Sequence, residues 1–152
     1  MCCSKSWTMI AAVLGCLGVI FGAFAAHGLD GVLLERYPAD QQKEIAGQTF
    51  QASWKYLQDF KTAAEYQMYH ALALLAVGIM SARQSKHSLQ IAGYSFLFGT
   101  ILFSGSLYVL VLTGKTWLGA VTPFGGALFI VGWIALAVAV CPCGSSAATS
   151  TE

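Results

Sequence analysis

Charge is what this sequence most lacks. Only 10% of its 152 residues are Asp, Glu, Lys or Arg, where a soluble domain carries about 25%. So few charges cannot coat a water-facing globule, and a purely soluble fold is excluded. The formal net charge is +1, which gives no electrostatic footing for a nucleic-acid partner. A disulfide framework is missing too. The cysteines stand at Cys2, Cys3, Cys16, Cys141 and Cys143, and Cys16 falls inside an apolar run. The two terminal pairs read as free or lipid-modified thiols near a membrane surface, with a soft-metal clasp as the alternative if the termini meet. Catalytic parts are also absent. "FSGSLY" at 103–108 lacks GxSxG, and no carboxylate is placed to orient a histidine. His27, His70 and Glu65 have the chemistry of metal ligands but no motif spacing. The expectation is no enzyme, no metal and no cofactor.

Long apolar runs are present, in a chain that is 57% hydrophobic. About 20 apolar residues cross a bilayer core, and backbone in lipid must satisfy itself within the segment. Four segments qualify, at about 8–26, 64–82, 91–112 and 118–140. The expected fold is all-α: an integral membrane bundle of four transmembrane helices forming one domain, 1–143, followed by a disordered tail, 144–152. The first segment also resembles a signal peptide with a cleavage box at 13–16, but its apolar run continues about ten residues past Cys16, which favours a retained helix. Gly15, Gly18 and Gly22 fall on one face of it and predict close helix packing.

The loop 28–63 holds most of the charge. "RYPAD" reads as a turn, with Asp40 as a helix N-cap. Beyond it, Trp54, Leu57, Phe60 and Ala64 recur at helical spacing. That predicts an amphipathic helix lying on the bilayer surface and leading into the second span, or else packed on the protein's own loop. An even number of spans puts both termini on one side. The compact basic connector "RQSKHS" leans that side toward the cytoplasm, although the raw count of basic residues favours the loop.

Four spans bring the polar residues to one leaflet. His27 closes the first span; Glu65, Tyr66, Gln67, Tyr69 and His70 open the second; Ser104, Ser106 and Tyr108 end the third; Thr122 opens the fourth. Tyr66 and His70 share a helix face. The readings are structural packing across helices, or a shallow polar cup formed by His27, Tyr66, Gln67, His70, Ser104, Ser106 and Tyr108.

"GAFAAHGL", "YQMYHALALLAVG", "LFSGSLYVLVLTG" and "LGAVTPFGGALFIVGW" occur in that order. They resemble the domain-of-unknown-function 423 family, small four-span bacterial membrane proteins similar to the eukaryotic transmembrane protein 256. The resemblance covers about 15–137 and implies an inner-membrane location. It implies no activity, because the family has none established. Here the first loop is longer than expected for the family, and Glu65 precedes "YQ" where a basic residue is expected.

The leading functional expectation is a structural or accessory subunit, in contact with the lipid bilayer and with a protein partner or further copies of itself. The alternative is a binding module for a lipid headgroup, quinone or other small amphiphile. Two-histidine haem ligation by His27 and His70 is a third reading, set back by their different depths.

Overall fold

Apolar stretches without charge leave the backbone little choice but to bond within itself, and helices result. The computed structural model describes residues 2–141. Its helices are α1 (Cys2–His27), α2 (Leu29–Arg36), α3 (Ala52–Arg83), α4 (His87–Thr100), α5 (Ser106–Thr113) and α6 (Thr122–Val140). A π-helical segment, Ile101–Gly105, joins α4 to α5, and a 3-10 turn, Thr116–Ala120, leads into α6. Among the described residues, three stretches are long and apolar enough to cross a membrane: Lys5–His27, His87–Thr113 and Thr116–Val140. The side chains of Cys2 and Cys3, together with Cys143 and the tail 144–152, fall outside the described residues.

The helices pack as two pairs, α1 on α3 and α4 on α6, joined by a seam between α3 and α4. Trp7, Leu74, Val77, Phe96 and Phe129 form the core between the pairs. A second cluster lies beneath the first loop, where Leu29 and Leu33 of α2 meet Tyr56 and Phe60 of α3 and Val111 of α5. Side chains tie the ends together. Tyr37 donates its hydroxyl to the Val111 carbonyl at 3.0 Å, and its burial raises its pKa, keeping the phenol protonated. Lys86 donates to the Ala139 carbonyl at 2.6 Å, a cation at the C-terminal end of α6, where the helix dipole favours one.

Four expectations need correction. The chain is not all-α: β1 (Gln42–Ile45) and β2 (Gln48–Gln51) form an antiparallel hairpin. Both residues of its tight turn, Ala46 at φ 52° and Gly47 at φ 77°, are left-handed, as the twist of a two-residue hairpin demands. Asp40 therefore sits in a turn before a strand and caps no helix. The amphipathic helix is no separate element but the opening turns of the 32-residue α3. Of the expected face, Phe60 and Ala64 are buried, Leu57 is half-buried and Trp54 is exposed; Phe60 packs with Tyr56 against α2 and α5 within the protein.

The fourth correction concerns the small-residue face of α1. A Cβ on Gly18 would reach Met68 at 3.3 Å, but one on Gly15 or Gly22 meets nothing within 4 Å. Among the described glycines, the closest backbone approach lies elsewhere, where α6 meets the end of α4 and the π-helical segment. A Cβ on Gly125 would stand 2.5 Å from the Phe103 nitrogen and 2.9 Å from the Gly99 oxygen. The π-helical segment, which includes Phe103, passes directly over this glycine.

Candidate functional site: an aromatic cleft beside His70

On α3, Tyr66, Tyr69 and His70 follow at i, i+3 and i+4, and so share a face. On α6, Pro123, Gly126, Ala127, Ile130 and Trp133 do the same. The facing stripes enclose a cleft of about 780 Å³, with Phe103 and Phe129 completing the wall. Small residues create the space: a Cβ on Gly126 meets nothing within 4 Å. Large rings bound it. Tyr66 stacks on Phe103 with centroids 4.7 Å apart, and His70 lies flat on Phe129 at 3.4 Å and 5°.

His70 is buried, with 4% of its surface exposed, and both ring nitrogens are engaged. Nδ1 donates to the Tyr66 carbonyl at 2.8 Å, which leaves Nε2 as the acceptor for the Trp133 indole N–H at 3.3 Å. The two bonds fix a neutral tautomer. His27, exposed at the end of α1, does not line the cleft, so this arrangement does not bring the two histidines together as the haem reading requires.

The seven residues of the expected cup do not share one chamber. Tyr66 and His70 line the cleft. His27 is exposed at the end of α1 and is not among the lining residues; the chain turns there into α2. Gln67 points to the other side of α3. Its amide donates to the Leu14 carbonyl at 2.8 Å and accepts from the Tyr108 hydroxyl at 3.0 Å, bonding α1, α3 and α5 together. Ser106 donates to the Phe103 carbonyl and meets Thr122 Oγ1, each at 3.0 Å. Ser104 is buried on the π-helical segment, and its hydroxyl has no partner among the described residues. The result is an aromatic cleft plus separate helix-fastening bonds.

Sequence reasoning missed Phe103, Phe129 and Trp133. A usable signal was there: Phe129 and Trp133 are four apart, beyond a Gly126–Ala127 pair that makes room on the same side. Among the described residues, no group of three or more His, Cys, Asp or Glu is arranged to hold a metal.

The model of the protein family of unknown function DUF423 matches residues 21–126. A UPF0382 membrane protein of Staphylococcus epidermidis is 39% identical over 135 residues, covering 89% of this chain and 94% of that protein. The UPF0382 membrane protein YwdK of Bacillus subtilis is 38% identical over 136 residues, covering 89% and 95%. One from Haemophilus influenzae is 38% identical over 133 residues, covering 88% and 91%. No solved structure matches. These matches, together with the run of apolar helices, identify the chain as a helical membrane protein that belongs to the DUF423 family, for which no activity is assigned.

Proposed function

We propose that the protein is a four-span membrane protein that takes up an uncharged amphiphile from the bilayer in the α3–α6 cleft. The observation behind this is the cleft itself, about 780 Å³ walled by rings. That volume falls within the range of small-molecule sites, about 300–1,000 Å³, and such sites are mostly apolar with a few placed polar groups.

The four-span part depends on α3. Its stretch 64–82 is about 28 Å long, close to the roughly 30 Å hydrocarbon core. Two polar residues there, Gln67 and His70, are buried, while Leu72 and Ile79 are exposed. Glu65, Tyr66 and Tyr69 are exposed, but they stand in the first turns of the stretch, where a membrane surface would lie, and a helix whose deeper polar groups turn inward can face lipid although its overall composition is less apolar. The proposed location is the inner (plasma) membrane, with both termini and the 83–88 connector cytoplasmic. Single cysteines at Ser85→Cys and Gln48→Cys, in a background without the native cysteines, should label from opposite sides of intact vesicles. Labelling of both from one side would reject four spans.

Gentle extraction from native membrane, followed by mass spectrometry of the intact particle, tests the binding reading. The wild type should carry a small amphiphile that Gly126→Leu, with the cleft plugged, does not. Identical spectra from the two would remove the cleft as the site. The same spectra bear on a second reading, an accessory subunit or homo-oligomer. It is favoured by the groove between α1 and α3 at Gly15 and Gly22, where another helix could approach. A particle heavier by a whole polypeptide would support it.

A further inference from the structure

We infer, building on the amphiphile reading of the cleft, that its occupant is a quinone-like molecule: a flat, uncharged ring bearing carbonyl oxygens, with an apolar tail left in the lipid. Charge argues first. The cleft is lined by Tyr66, Tyr69, His70, Trp133 and apolar residues, with no ammonium, guanidinium or carboxylate among them. A phosphate-bearing headgroup seated there would bring a charge with no counter-charge, at high cost in so apolar a place.

Shape argues second. Tyr66 and Phe103 are stacked nearly parallel, with 21° between their rings, and Trp133 and Tyr69 stand half-exposed at the open side. Ring walls of this kind favour a planar conjugated guest, because offset stacking adds to plain burial. An acyl chain gains no such term.

Hydrogen-bond sense argues third. The Trp133 N–H and both His70 nitrogens are committed to protein partners. The donors left among the lining side chains are the hydroxyls of Tyr66 and Tyr69, which have no protein partner among the described residues. Phenol donors complement carbonyl acceptors. The inference is one of binding, and no electron transfer is assigned to it.

Thermal unfolding of the full chain in detergent, titrated with decylubiquinone and separately with the ringless uncharged lipid monoolein, tests it. Ligand that binds only the folded state raises the midpoint with concentration. Decylubiquinone should raise Tm in the wild type and have no effect on Gly126→Leu. That variant should fold, since its Cβ points into open space. The double variant Tyr66→Phe/Tyr69→Phe keeps the rings and should weaken the quinone at least about tenfold, the loss of one or two hydrogen bonds. An unchanged affinity in the double variant, or a Tm rise that survives Gly126→Leu, would overturn the inference. Stabilisation by monoolein alone, abolished by Gly126→Leu, would overturn the quinone assignment while sparing the amphiphile reading. No shift with either probe would overturn both.

Discussion

Gly125→Ala should cost the protein about 3 kcal/mol or more, while Gly126→Ala, one residue on, should be neutral or slightly stabilising. The two glycines differ in what a methyl group would meet. At Gly125 it would collide with backbone, the Phe103 nitrogen at 2.5 Å and the Gly99 oxygen at 2.9 Å. Backbone cannot rotate away as a side chain does, so α6 would have to separate from α4 and the π-helical segment. Overpacking typically costs about 1–3 kcal/mol, and a backbone-limited clash belongs at the upper end. At Gly126 the methyl enters the cleft, and replacing a helical glycine gains about 0.5–1 kcal/mol. Reversible unfolding in mixed micelles, compared between the two variants, measures the difference. Equal stabilities would mean that α4 and α6 do not approach as described.

Phe129→Ala should destabilise by about 3–5 kcal/mol, the usual range for a buried aromatic truncated to alanine. Phe129 is 5% exposed. Its ring supports the flat face of His70 and packs at Gly99, where a Cβ would come within 2.6 Å of it. Its loss would open the cleft into the core between the helix pairs. The imidazole would then be held only by its two hydrogen bonds, and the orientation of Trp133 would loosen with it. Phe129→Leu should recover much of the loss, because it restores most of the volume. Unfolding midpoints for the pair of variants provide the check. A cost below about 1 kcal/mol for the alanine variant would show that His70 does not depend on this stack.

The sequence made the polar residues of the helices legible but not how they divide between faces. Tyr66 and Gln67 are neighbours in the chain, yet a helix turns about 100° per residue. That rotation sends Tyr66 to the cleft and Gln67 to α1 and α5. Placing residues by depth alone merges what rotation separates. His27 was misplaced because depth also ignores the turn into α2 at Gly28. The hairpin escaped notice because its Ala46–Gly47 turn lacks the Asn-Gly or Asp-Gly pair that usually marks one. The three stretches long and apolar enough to cross a membrane were readable because composition alone nearly determines them. The close crossing at Gly99 and Gly125 was not, since nothing local distinguishes Gly125 from Gly126. Only the neighbour above each glycine does, and that neighbour is set by tertiary packing.

A ribosome completes α1 long before its partner emerges. About 56 residues separate the ends of α1 and α3, a delay of about 3–11 s at ordinary synthesis rates. α1 is long and apolar enough to cross a membrane by itself, whereas α3 carries more polar residues along its length. On the four-span reading, birth order resolves the difficulty. α3 would arrive beside a helix already in place, whose Leu14 carbonyl receives the Gln67 amide that would otherwise enter hydrocarbon unbonded. The first helix would then serve the third as an insertion partner during biogenesis. A chain begun at Gly28 would deliver α3 to the translocon without it.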